Sequence, residues 1–380
     1  MVAAGRRVAL ADDTRPGSAG IAADELSPYG PNQRVLLNEP SRATAMISFD
    51  VIATGRKQLS DLFTVISERV KLLAAGEPTA VSDPSRPPAD NGILGPLFTG
   101  NQVGVLIGVG ASLFDHRFGL AARRPAGLKP MRTFPNDNLD PAICHGDLSM
   151  QFTAATPDVV THALRDLTKH TRGAMQPRWR VDGFTSPPRP DGAPRNLLGF
   201  KDGTSNPSTT DTTTLDRLVW TTDGGSFQVI RIIRNLVEFW DRVSLQEQEL
   251  MIGRRRDDGS PLDADGELTA PDYARDPQGL VIPTDAHIRL ANPRTPRTEA
   301  TRILRRSWNY DLGLDSNGQL NQGTLFTCYQ QDIERQFEAV QTRLIDEPLT
   351  DYISPVGGGY FYVLPGLADK NDRYAKALLS

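Results

Sequence analysis

Histidine is scarce here, and its spacing decides which chemistry is open. The five histidines are His116, His145, His162, His170 and His287. None forms an HxH or HExxH pair, so a mononuclear zinc site would have to be assembled from distant strands. A GxSxG elbow, a P-loop and a strand-borne GxGxxG turn are also absent, which removes the minimum parts of common hydrolases, kinases and dinucleotide-dependent dehydrogenases. Three segments remain. Arg195 to Pro207 (RNLLGFKDGTSNP) contains Asp202-Gly203, which by itself reads as a tight turn. Asp285 to Arg294 (DAHIRLANPR) contains His287, and a single histidine in apolar text is commonly a hydrogen-bonded structural residue. Arg302 to Arg306 (RILRR) by itself reads as a solvated basic face. Taken together, one imidazole, one carboxylate and one guanidinium beside a long loop suit peroxide chemistry at haem. An imidazole can hold ferric iron from one side and leave the sixth position open. On the open side a carboxylate can take up and return a proton, while a cation stabilises charge as the O–O bond breaks. Spacing alone leaves open whether the three segments converge.

The elements that must position these groups form two sets. In the first, Ala45 to Ala53 reads as a strand, Lys57 to Leu73 as a helix, and Val103 to Gly110 and Asp147 to Ala155 as strands. Asp158 to His170 has helical spacing behind Thr156-Pro157. A Pro-rich connector covers Glu77 to Pro96. In the second set, Gly225 to Trp240 is β-rich, Leu245 to Ile252 and Ile333 to Leu344 are helical, and Thr324 to Gln330 and Gly359 to Leu364 are strands. The unit that begins Gly146-Asp147-Leu148 and runs into a helix bearing Val159, Val160, Ala163 and Leu164 recurs in kind. Its counterpart begins Gly323-Thr324-Leu325 and runs into a helix bearing Ile333, Phe337, Val340 and Leu344. Two related α+β halves follow, each an antiparallel sheet with helices on one face. The boundaries are a flexible arm over 1–40, an N-terminal half over 41–190 and a C-terminal half over 191–380. From Arg254 to Thr284 no period is usable; loops of that length commonly cover a site, and this one runs directly into Asp285-Ala286-His287.

Composition narrows the field further. The 42 Lys+Arg against 46 Asp+Glu leave a net charge of −4, without the basic excess of a nucleic-acid scaffold. Hydrophobic residues at 38% suffice for a core. The longest apolar run, Val103 to Phe114, is interrupted by glycines and is too short to span a bilayer. Cys144 and Cys328 sit in strand-like text as small hydrophobes and form neither a disulfide framework nor a metal cluster. After Arg6-Arg7 the apolar stretch is too short for an export signal, so the expectation is either no signal or one already removed.

The motifs GFKDGTSNP (Gly199 to Pro207), DAHIRLANPR and RILRR together resemble the dye-decolourising peroxidases. So do VGASLFDHRFGL (Val109 to Leu120), FPNDNL (Phe134 to Leu139), GDLSMQ (Gly146 to Gln151) and VGGGYFYVLPG (Val356 to Gly366), in the family's order. The likeness is strongest to the branch often exported by the twin-arginine route. The resemblance implies two ferredoxin-like halves of the dimeric α+β barrel type and one haem b per chain. It implies peroxidase turnover through an oxo-ferryl intermediate, with hydrogen peroxide as oxidant and dyes, phenolics or other small one-electron donors as reductants. Carried over by motif, His287 is the iron ligand, Asp202 the distal acid–base residue and Arg302 the distal arginine. Asp332 becomes the acidic partner of His287, Phe326 an apolar wall of the pocket, and Arg289 a contact to a propionate. A carboxylate, with a reference pKa of about 3.9 against about 6.5 for histidine, predicts an acidic optimum.

The resemblance also implies an extracellular or periplasmic setting, with the cytoplasm as alternative. It leaves a homo-oligomer open and gives no role for nucleic acid or a membrane span. Two departures stand out: Gly30 to Val35 lacks the family's His-Gln-Ala-Gly stretch, and His145 precedes Gly146-Asp147-Leu148, either at a haem edge or as a structural residue. Bulky reductants would need a surface Tyr or Trp, for which Trp308 and Tyr310 are candidates beside a packing role. The rival functions are haem binding for iron release or transport, and a non-catalytic α+β interaction module.

Overall fold

A computed structural model describes residues 26–76, 85–95, 102–189 and 191–380. In the first half β1 (Ala43–Val51), α1 (Arg56–Ala75), β2 (Gly104–Gly110), β3 (Leu148–Ala154), α2 (Pro157–His170) and β4 (Met175–Phe184) follow one another in a βαββαβ order. After α3 (Thr212–Leu218), the second half repeats that plan. It contains β5 (Ser226–Asn235), α4 (Val237–Trp240), α5 (Leu245–Ile252), α6 (His287–Ala291), the two-residue β6 (Leu304–Arg305), β7 (Trp308–Leu314), β8 (Leu320–Gln330), α7 (Ala339–Arg343) and β9 (Ile353–Val363). A last turn of helix, α8 (Lys376–Leu379), closes the chain. The nine strands lie in the order β5-β9-β2-β3-β1-β4-β7-β8-β6, and β5 also pairs with β8, so the sheet closes on itself. Each half is ferredoxin-like, and antiparallel pairs β2–β9 and β4–β7 join them.

Alternation along the strands sorts the side chains. On β1, Ala45, Ile47 and Phe49 join the core that Leu59, Leu62, Phe63, Ile66 and Val70 of α1 form at helical spacing. Met46 points the other way, into the closed sheet, beside Trp179, Ile230, Trp308, Tyr310 and Phe361. The same interior carries a linked chain of polar side chains: Ser149 Oγ donates to Gln228 Oε1 (2.9 Å), Gln228 Nε2 to Tyr329 Oη (3.2 Å), and Tyr329 Oη to Gln151 Oε1 (3.0 Å). Trp308 and Tyr310, 3% and 1% exposed, are core residues rather than surface electron donors.

Several expectations shift. Of the arm, 1–25 lie outside the described residues, while Gln33 is buried and docked, its Nε2 donating to the carbonyls of Ile107 (2.9 Å) and Leu364 (2.8 Å). The β-rich run from Gly225 stops at Asn235, and its last residues form α4. The helix expected over Ile333 to Leu344 opens with a π-helical turn, Glu334–Glu338, before α7. Strands β4 and β7 add to the expected set; Trp179, Val181 and Gly183 in one, and Trp308, Tyr310 and Leu312 in the other, alternate with polar or small residues at the period of a half-buried strand. Of the Pro-rich connector, 77–84 and 96 lie outside the described residues, and 85–95 form turns and bends without a strand or helix.

Candidate active site

The second half holds a cavity between its sheet and its helical cover. Arg231, Ile233 and Asn235 of β5 and Thr324 and Phe326 of β8 line one wall. His287 and Ile288 of α6 and Val340 of α7 line the other, and Asn196 to Ser205 reach in from the loop before α3. The long Arg254 to Thr284 segment is tied to that loop by charge. Glu267 accepts from the Ala193 amide (2.8 Å) and pairs with Lys201, which is buried at 2% side-chain exposure. Arg195 donates to the carbonyls of Gly199, Arg256 and Asp257.

His287 opens α6, and its Nδ1 lies 2.7 Å from Oε2 of Glu347, a carboxylate 3% exposed in the turn before β9. The acidic partner is therefore Glu347 and not Asp332, whose Oδ1 instead accepts the Arg335 amide (2.9 Å). Burial works against the imidazolium, but the charge and hydrogen bond of Glu347 outweigh it and raise the proton affinity of His287 above its usual value. With Nδ1–H donated to a carboxylate, Nε2 is the nitrogen with a lone pair to offer.

Asp202 lines the same cavity, and its partner is Arg305, with Nη1 2.9 Å from Oδ1. This corrects the expectation for Arg302, which also lines the cavity but turns toward Glu299 (3.5 Å). Leu304 is fully buried toward α3 and Tyr329, so alternation sends Arg305 to the opposite, cavity face. Arg306 is no solvated residue either: it is 3% exposed and donates to the Leu37 carbonyl (2.8 Å). His287 feels opposing charges from Arg305 and Asp202 across the cavity. Phe326 lines the cavity, 6.1 Å from the Phe337 ring.

Arg289 does not reach the cavity. Its guanidinium donates to the carbonyls of Ile282 and Asp276 (2.9 Å each) and covers Tyr273, pinning the long segment to α6. His145 is exposed at a positive φ of 59°, and its carbonyl accepts from Ser48 Oγ and Trp179 Nε1. That is a backbone role.

The residues present fit a haem. The walls are largely apolar, and a single imidazole with a tethered Nδ1 faces them. Buried donors on the cavity, Nε of Arg231, Nε of Arg302 and Nδ2 of Asn235, have no hydrogen-bond partner, which suits a flat apolar ring carrying carboxylates. Among the described residues no group of three or more His, Cys, Asp or Glu side chains could hold a bare metal ion. No helix among them is long and apolar enough to cross a membrane.

Such a closed sheet built from two like halves, with a cavity on the second, is the architecture of a class of haem peroxidases. The match is specific. Residues 33–185 fit the family model for the Dyp-type peroxidase N-terminal region and residues 193–368 the model for its C-terminal region. The chain belongs to the Dyp-type peroxidase family. It is 45% identical over 365 residues to the deferrochelatase of Escherichia coli strain K12, covering 92% of this chain and 86% of that protein. The Yersinia pestis deferrochelatase is 43% identical over 396 residues, covering 100% and 91%. Among solved structures, an oxyferrous complex of DtpA from Streptomyces lividans superposes with a TM-score of 0.84 at 32% identity, covering 93% of this chain and 97% of that one. A DyP-type peroxidase from Cellulomonas bogoriensis gives 0.82 at 31%, with the same coverage.

Proposed function

We propose that this protein is a haem b peroxidase in which His287 ligates the iron and hydrogen peroxide drives the oxidation of dyes, phenolics or other small one-electron donors. The observation that carries this reading is the Asp202–Arg305 ion pair on the same cavity as the imidazole tied to Glu347. Bound haem supplies the iron at which the peroxide O–O bond breaks and the electrons drawn from the donor are received. Asp202 takes the proton from the incoming oxygen and returns it to the departing one. Arg305 holds that carboxylate in place and sets a positive charge beside the reacting oxygens. Glu347 fixes the ring and tautomer of His287 and makes the imidazole a stronger donor. Leu198, Phe200 and Phe326 exclude bulk water from the same space.

The test is the visible spectrum of haem-loaded wild type beside His287→Ala, before and after one equivalent of peroxide. A Soret band that depends on His287 and shifts with peroxide is expected. A band indifferent to both sinks the reading. Asp202→Asn should slow the reaction with peroxide by about 10²- to 10⁴-fold.

A second reading, release of iron from haem, is favoured by the deferrochelatase relatives. Asp202→Asn separates the two, since it would slow peroxide turnover by that factor and leave iron release intact. An extracellular or periplasmic setting, proposed from the family resemblance, is checked by fractionating the producing cells.

A further inference from the structure

We infer that Asn206 is a positioning residue, which clamps the main chain of Arg305 so that its guanidinium meets Asp202. The inference rests on the reading of Asp202 and Arg305 as the pair that handles peroxide. Its geometry is independent of that reading. The Asn206 side chain donates Nδ2–H to the Arg305 carbonyl (3.0 Å) and accepts the Arg305 amide at Oδ1 (2.9 Å). The two bonds reproduce what a neighbouring strand would offer.

Arg305 needs that substitute. Strand β6 is two residues long and lies at the end of the strand order, paired on one side only, through Tyr329 and Cys328 of β8. Without Asn206 the outer edge of the Arg305 peptide would lose both of these partners. A shift at the Arg305 Cα moves the root of its side chain, and re-aiming the guanidinium through several rotatable bonds costs conformational freedom. Asn206 and Asp202 sit on the same short loop, turned by Gly203 at φ +94° and closed by the Asn206 amide on the Gly203 carbonyl (3.4 Å). One loop thus supplies both the carboxylate at 2.9 Å from Nη1 and the amide that fixes the backbone behind it. Asparagine suits the position because a neutral amide offers a donor and an acceptor together. Aspartate would set its second oxygen against the Arg305 carbonyl, and alanine would leave both peptide groups unpaired.

The test compares haem-loaded wild type, Asn206→Ala, Asn206→Asp, Arg305→Ala and the Asn206→Ala/Arg305→Ala double variant. Two readouts are taken per bound haem: the second-order rate with peroxide and the affinity of the ferric protein for fluoride, a small anion that needs no turnover. Haem content and thermal midpoint are measured alongside. Asn206→Ala should lower the peroxide rate by about 10- to 100-fold, the scale of a mispositioned group, and weaken fluoride in the same direction as Arg305→Ala. The double variant should then be no worse than Arg305→Ala alone, because the residues act as one unit. Asn206→Asp, nearly isosteric and keeping the acceptor but turning an oxygen on the Arg305 carbonyl, should also lower both readouts relative to wild type and covers the case where alanine fails to fold. Additive losses overturn the inference, as does a lower midpoint or haem content with unchanged rate and fluoride affinity per haem. If wild type ignores peroxide, the peroxidase reading fails by itself, and the fluoride series still decides the clamp.

Discussion

At the scale of single residues, the imidazole–carboxylate pair on one wall of the cavity and the carboxylate–guanidinium pair on the other do different work. Glu347 accepts from Nδ1 of His287 inside a nearly dry turn. A carboxylate there increases the electron density that the ring passes to a metal and stabilises the higher oxidation state. Glu347→Gln should therefore retain haem and raise the ferric/ferrous potential, measured by spectroelectrochemistry. Asp332→Asn should leave it unchanged, because that carboxylate serves the Arg335 amide. If the two substitutions exchanged these effects, the assignment of the partner would be wrong.

At the scale of elements, the long segment before α6 has almost no regular structure and is held by a few ionic and carbonyl contacts. Lys201 is buried against Glu267, and Arg254 gives its guanidinium to the carbonyls of Gly259 and Glu267. Removing one member of a buried pair strands the other. Glu267→Ala should cost about 3–5 kcal/mol in urea unfolding, with faster proteolysis between Arg254 and Thr284. The pair Lys201→Met with Glu267→Leu should recover most of that loss, since no buried charge is then left over. Failure of the double variant to recover would mean that the segment is held by shape and not by charge.

At the scale of the whole molecule, the halves share one sheet. Strand β2 pairs with β9 over Gly108 to Gly110, and β5 pairs with both β8 and β9. Gly358 sits at φ +123°, where a Cβ would lie 1.9 Å from the Ile230 carbonyl, so any side chain must push β9 away from β5. Gly358→Ala should lower the stability of both halves together. Hydrogen exchange should then show α2 and α7 losing protection in step, and wild-type unfolding should show one transition. Two separate transitions would mean that the strand pairs between halves contribute little.

The strand–helix units were legible in the chain because they depend on local periodicity, as in Ile47 and Phe49 of β1 or Leu59, Phe63 and Ile66 of α1. The segments bearing His287 and Asp202 were legible through motif, and the cavity does bring them together. Choosing among Arg302, Arg305 and Arg306 required knowing that Leu304 and Arg305 form a strand; the buried Leu304 was the available signal, and two residues are too few to show a period. Glu347 carried no local signal at all, since it meets His287 from 60 positions away. The same holds for Asn206, which meets Arg305 across 99 positions. Sequence by itself determined which elements form and which segments carry the reactive groups, because backbone and hydrophobic preferences act over a few residues. Which side chains pair was decided only by closure of the sheet, because a hydrogen bond forms where the fold sets two groups within about 3 Å of each other, whatever their separation along the chain.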